Sequence, residues 1–311
     1  MTTETPSVKQ TNATLVRKIY QSPELLKEAM ENSTYFIREK VRELGFARKL
    51  IEPIFVTAAD LDRTVENDQP TIILEKDMEA KAYTLPFRGQ GDSKYWEGDK
   101  FLITFQKVES DRFNKSKFEM MNSKTDYKTL LQKRIVEEMF RTEDETMLAA
   151  FNEVITAAEN SAPGTQFQQV TGGLTKTNIK ILIQMLSKLR MLPPAGGPKP
   201  KILMNQTLKM ELIELGMIEI GDSNVGKYWN EGTVGVSSLF GVPVVDTIKN
   251  DLVKDDEMYI IAPQDYFGRF FILQDHTMVI KTEADMINFW SYSAMGLGLA
   301  NTKGVAKIQL V

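Results

Sequence analysis

Apolar and polar positions along the chain change rhythm several times, and each change marks an element. Residues 1–20 are polar, with Thr2, Thr3, Thr5, Thr11 and Thr14, and read as a loose arm. From Pro23 to Leu50 the rhythm is helical, through Leu25, Leu26, Ala29, Phe36, Ile37, Val41 and Leu44. Ser22 and Pro23 supply a cap and a first-turn proline, and Gly45 a stop. Residues 53–110 are mostly extended. Thr71–Glu75 and Phe101–Val108 are strand-like, with Phe101, Ile103 and Phe105 on one face. Between them, Phe87–Lys100 is rich in glycine, charge and aromatics and reads as the tip of a long hairpin. An exposed Tyr95–Trp96 pair on such a tip is costly unless another surface covers it.

Asp126 opens the most strongly helical stretch. Tyr127, Leu130, Leu131, Ile135, Met139 and Phe140 recur at helical spacing, followed by Leu148, Phe151, Val154, Ile155 and Ala158. A continuous helix from Asp126 to Ala158 would be about 50 Å long. Thr142–Glu145 is a capping-box pattern at which the helix could restart after a kink. Thr175–Leu189 is a second amphipathic helix, Pro193–Lys201 a turn-rich stop, and Ile202–Asn205 a strand leading into a helix at Thr207–Leu215. Strand candidates follow at Val234–Val236, Val242–Val245, Met258–Ala262, Phe270–Leu273, Met278–Lys281 and Val305–Leu310. Helices and strands mix without strict βαβ alternation, so the pattern predicts an α+β fold.

The length of 311 residues allows roughly 75% of the unfolded chain's surface to be buried. With 42% hydrophobic and 26% charged residues, the chain is neither collagenous, coiled-coil nor wholly disordered. The absence of cysteine excludes disulfides, a thiolate nucleophile, iron–sulfur clusters and cysteine-bound zinc. A single histidine, His276, leaves no histidine-rich metal site. A net charge of −4 argues against a protein that grips nucleic acid. No apolar run reaches the ~18 residues of a membrane span, and the N-terminus lacks a signal-peptide pattern. The expectation is a soluble protein made in a cytoplasm.

No motif carries convincing chemistry. Gly221–Lys227 satisfies G-x-x-x-x-G-K, but Tyr228 stands where a P-loop needs Ser or Thr, and no helix pattern follows. His276 follows Asp275, yet no G-x-S-x-G elbow accompanies them, and a solitary histidine between strands reads as structural. Glu143-Asp144-Glu145 reads as the acidic start of a helix. Asp255-Asp256-Glu257 lacks the spacing of an EF-hand. No catalytic, cofactor-binding or metal-binding residue emerges.

What remains is an order of elements: arm, long hairpin, rod-like helix, compact mixed region. Two places carry a resemblance. One is Phe101–Ile155, where a strand leads into the long helix with its central Glu143-Asp144 pair. The other comprises Leu239–Thr247 with its Gly241-Val242-Pro243-Val244 turn, then Tyr259–Pro263, then the closing Asn301–Ala306. In this order they resemble the major capsid proteins of tailed bacteriophages, which have the Hong Kong 97-type fold.

The resemblance implies an N-terminal arm at 1–50 and an extended region at 51–110 whose E-loop spans about 70–105. It further implies a peripheral domain with the spine helix at 111–172, an axial domain at 173–275 and returning C-terminal strands at 276–311. It implies no enzymatic activity and no cofactor. The chain would assemble with itself into the pentamers and hexamers of an icosahedral shell around double-stranded DNA, bound without sequence specificity. Phe87, Arg88, Tyr95 and Trp96 at the E-loop tip would contact neighbouring subunits. Further implied partners are a portal, a decoration protein and either a separate scaffolding protein or none, since about 50 residues before the extended region are too few for a built-in scaffold. Assembly would take place in the host cytoplasm, and no membrane is involved. A lysine–asparagine cross-link would have Lys94 or Lys100 and Asn301 as candidates. The same fold also suits an encapsulin-like nanocompartment shell. A third reading is a phosphate-binding enzyme using Gly221–Lys227.

Overall fold

The computed structural model describes residues 45–64, 67–75, 100–123, 127–193, 197–211 and 238–311, with single positions at 13, 14, 16, 17, 20, 24, 27, 84, 85, 87 and 89. Three sheets and one long helix organise these residues into an α+β fold. The first sheet is built on a long hairpin, β12 (Arg269–Glu283) and β13 (Met286–Gly298). Strand β1 (Pro53–Phe55) pairs with β12, and β5 (Gln106–Glu109) and β6 (Phe113–Ser116) both pair with β13. The second has six strands in the order β7-β14-β11-β8-β10-β9. These are Phe167–Val170, Val305–Leu310, Glu257–Ile261, Lys201–Asn205, Val242–Thr247 and Ser238–Leu239. The third is a small projecting sheet of β2 (Asp62–Thr64), β3 (Asn67–Glu75) and β4 (Lys100–Thr104).

The long helix runs unbroken from Tyr127 to Ser161, 35 residues or about 52 Å. Its buried stripe steps by three or four residues: Leu131, Ile135, Val136, Met139, Phe140, then Met147, Leu148, Phe151 and Ile155. The first half shares a core with Met278, Ile280, Ile287 and Phe289 of the hairpin. The second half joins the larger core of the six-stranded sheet, where every side chain of β11 is buried. One rod therefore serves two cores. The helix Lys176–Lys188 covers the second of them with Ile179, Leu182, Met185 and Leu186, and the Thr175 hydroxyl caps it by accepting from the Asn178 amide at 3.2 Å.

Several expectations need correction. The predicted strand Phe101–Val108 is two strands split at buried Phe105, one in the projecting sheet and one in the hairpin sheet. The candidates Phe270–Leu273 and Met278–Lys281 belong to one 15-residue strand, β12. A boundary at residue 275 thus falls inside β12, and 276–311 is shared between two sheets through β13 and β14. Backbone pairing across the hairpin decides this. Nor does all of the arm lie free, because Val16 is buried in the first core and the Tyr20 hydroxyl donates to the Ala284 carbonyl at 3.0 Å. The strand candidate Val234–Val236 lies outside the described residues, as does Gly221–Lys227.

Candidate assembly interface and its buried anchor

The projecting sheet has two apolar faces. Register pairs Ile72 with Ile103 and Leu74 with Phe101 on one face, and Ile73 with Leu102 on the other. The first face is packed: Ile72 and Ile103 share a core with Phe105, Val56 and Phe271. The second is not, since Ile73 is 37% and Leu102 52% exposed. Glycine lets the sheet sit close to the body. A Cβ on Gly298 would lie 2.1 Å from the Ile103 Cδ1, and one on Gly296 3.2 Å from the Ile103 Cγ2. The alternating glycines of Met295–Leu299 thus make room for the small sheet.

Beyond the sheet, Phe87 is fully exposed in a turn and Leu85 is exposed beside it. Arg88, Tyr95 and Trp96 lie outside the described residues, as does Lys94. Lys100 pairs with Glu75 at 3.1 Å, and Asn301 caps a short 3-10 turn by accepting from the Lys303 amide at 3.0 Å. Both are occupied within the chain.

Where the two cores meet on the long helix, the buried stripe continues through Glu143 and Asp144. They do not start a helix, as their sequence suggested. The Arg48 guanidinium donates to both Glu143 oxygens, at 2.9 and 2.8 Å, and to Asp275 Oδ1 at 2.9 Å. Fully buried His276 places Nε2 2.8 Å from Glu143 Oε1, a contact of ion-pair length not aligned as a hydrogen bond, while Nδ1 has no partner. No serine hydroxyl bonds the imidazole, so no hydrolytic triad forms there. Asp144 accepts from the Ala47 amide at 2.8 Å and takes Lys249 Nζ at 2.6 Å. Lys201 Nζ donates to the Leu50 carbonyl at 2.9 Å, closing the other end of the short helix Ala47–Leu50. Gly45 permits this approach, since a Cβ there would lie 2.6 Å from the Phe140 ring. Three carboxylates thus face Arg48, Lys249 and the imidazole.

The two neighbouring acids respond oppositely. Burial pushes the Glu143 carboxyl up, but His276 and Arg48 outweigh it and hold it at about 2. For Asp144 burial wins over Lys249 and the Phe46 and Ala47 amides, and its carboxyl is raised. The cluster joins the end of the arm, the spine of the first core, the hairpin and the loop after β10. It is an anchor, and it fixes how the two sheets sit on one helix. Among the described residues no group of His, Asp and Glu is arranged to hold a metal ion, and no described helix is long and apolar enough to cross a membrane.

No protein-family model matches the sequence, and no curated protein matches it. Solved structures do match. The capsid structure of the cyanophage P-SCSP1u aligns over 84% of this chain and 87% of its own, with a TM-score of 0.55 and 12% identity. The asymmetric unit of the bacteriophage PhiM1 mature capsid aligns over 86% and 87%, with a TM-score of 0.55 and 10% identity. The chain has the Hong Kong 97-type capsid fold. A virus-like particle from Pyrococcus furiosus aligns over 91% of this chain and 98% of its own, with a TM-score of 0.54 and 12% identity. At such identities the likeness is one of fold.

Proposed function

We propose that the protein is a shell-forming subunit, the major capsid protein of a tailed phage, that works by assembling with its own copies and not by catalysis. One observation carries the reading: a chain with the capsid fold over most of its length also holds out a sheet with Ile73 and Leu102 in water, continuing towards a fully exposed Phe87. Such side chains gain free energy only when a surface covers them, at roughly 25 cal/mol per Å² removed from water. A neighbouring copy is the surface that a shell supplies. Phe87, Arg88, Tyr95 and Trp96 are the E-loop contacts in this reading. The shell would enclose double-stranded DNA without reading its sequence, consistent with a net charge of −4. Portal, scaffolding and decoration proteins would be its partners, and the virion its final location.

A second reading, a nanocompartment shell, draws support from the virus-like particle, whose chain is covered almost completely. Negative-stain microscopy and light scattering of the purified chain test both. Rings or closed shells are expected, and the double substitution Ile73→Lys/Leu102→Lys should abolish them while leaving the subunit folded by circular dichroism. A wild-type chain that stays monomeric at millimolar concentration, alone and with the products of neighbouring genes, overturns the proposal. Nuclease-protected DNA in particles purified from infected cells favours the phage; enclosed protein cargo without DNA favours the compartment.

A further inference from the structure

Between Glu159 and Glu211 the chain holds seven basic residues and no acidic one, although its net charge is −4. The fold itself uses two of them. Lys201 Nζ donates to the Leu50 carbonyl, and buried Lys209 pairs with Asp246 at 3.2 Å. Of the others, Lys176, Lys180 and Lys188 lie on the helix Lys176–Lys188, and Arg190 follows its C-terminus. That helix buries Asn178, Ile179, Leu182, Met185 and Leu186. Lys176, Lys180, Gln184, Ser187 and Lys188 fall on the opposite side, and all are exposed. Among the described residues, Lys176, Lys180, Lys188 and Arg190 form no ion pair. Exposed Lys100, Lys107 and Lys281, by contrast, are paired with Glu75, Glu109 and Glu283.

The isolated subunit gains little from this arrangement. Lys176 stands in the first turn of the helix, where the dipole favours an acid, and that turn holds none. Lys176 and Lys180, four residues apart, are like charges that repel on a helix surface. Only Lys188 and Arg190 sit at the end where a cation is favoured. Soluble surfaces intersperse both signs, whereas a stripe of one sign attracts a polyanion. A nucleic-acid duplex offers one negative charge per ~1.7 Å of its axis, and the stripe from Lys176 to Lys188 is about 18 Å long. Three of the four cations are lysines, flexible point charges suited to a partner without fixed register; fixed carboxylate pairs favour the fork of arginine. The exposed side of the helix carries no aromatic residue, so it can hold a phosphate backbone but cannot stack on bases. The acidic remainder of the chain keeps that hold weak, which suits a container that must release its contents.

We infer that Lys176, Lys180, Lys188 and Arg190 face the lumen of the shell and contact the phosphate backbone of the enclosed double-stranded DNA. The inference rests on the shell-forming reading and deepens it by naming the inward face. The test titrates a fluorescein-labelled duplex of about 20 base pairs with the full-length purified chain and follows anisotropy, beside the assembly assay. Wild-type affinity should fall about 40–150-fold between about 50 and 200 mM salt, the dependence expected of three or four phosphate contacts. The triple variant Lys176→Gln/Lys180→Gln/Lys188→Gln should bind at least about tenfold more weakly at the lower salt. Lys100→Gln/Lys107→Gln/Lys281→Gln, which removes the same charge elsewhere, should stay within about threefold of wild type. The first variant should remain folded by circular dichroism and form rings or shells as the wild type does. Absence of wild-type binding at the lower salt, no loss in the first variant, or equal loss in both overturns the inference and leaves the shell reading standing. A first variant that is folded but fails to assemble marks the stripe as a contact between copies and also overturns it. A wild-type chain that assembles neither alone nor with the products of neighbouring genes overturns both.

Discussion

Replacing Glu143 by glutamine should be among the most damaging single-atom exchanges available to this subunit. The Glu143 side chain is 2% exposed and holds the two-pronged Arg48 guanidinium, itself 9% exposed, together with fully buried His276. Glutamine keeps one acceptor oxygen but turns the other into a donor facing a cation, and it removes the charge that offsets Arg48. Breaking a buried pair from one side costs about 3–5 kcal/mol, because the abandoned charge stays in the interior. The retained oxygen places the expectation near the lower figure, about 3 kcal/mol. Urea unfolding of the unassembled subunit measures it, and at about 2 °C or more per kcal/mol the thermal midpoint should drop by roughly 6 °C or more. A double-mutant cycle with Arg48→Met should return a coupling of at least about 1.5 kcal/mol. A loss under about 1 kcal/mol, or no coupling, would refute the assignment of the cluster as an anchor.

The same variant carries a pH signature. Glu143 titrates at about 2 in the fold against an ordinary value of 4.5, so its contribution is complete above pH 4.5 and disappears as pH falls towards 2. That interval corresponds to about 3 kcal/mol. Asp144 works the other way: its raised carboxyl binds a proton in the folded state first, so stability gains from it as pH falls. The gap between wild type and Glu143→Gln should therefore narrow between pH 5 and 2, while the variant alone shows a shallower acid loss.

Two further outcomes separate packing arguments elsewhere in the molecule. Gly268→Ala should cost more than about 2 kcal/mol, since its Cβ would meet the Gly298 carbonyl oxygen, backbone that cannot step aside, at 2.4 Å; Gly298→Ala meets the Cδ1 and Cγ1 of Ile103, a side chain that can turn, and should cost less, about 1 kcal/mol, both read from urea unfolding. Thr175→Ala removes the cap of the helix Lys176–Lys188 and should cost about 1 kcal/mol by the same assay, with hydrogen exchange rising first in that helix's opening turn.

The local elements were legible because they are written in short-range periodicity. The long helix, the helix after Thr175 and strand β14 at Val305–Leu310 all follow from spacing within a few residues. The order of elements, with the turn at Gly241 and the strand ending at Ile261, is enough to suggest the capsid fold. Glu143 and Asp144 were misread although a signal existed, for they sit on the three-four stripe where only buried residues belong.

Sequence by itself therefore settled the long helix, the helix after Thr175, the α+β class and the lack of any thiol or histidine cluster, because propensity, spacing and composition act over a few residues. Tertiary structure alone decided that Phe101–Val108 divides between two sheets, that β12 and β13 form one hairpin through residue 275, and that Arg48, Glu143, Asp275 and His276 meet. Those outcomes join groups up to 227 positions apart along the chain. Such meetings depend on which surfaces are buried together and which charges must be matched once water is gone, and no local pattern encodes that.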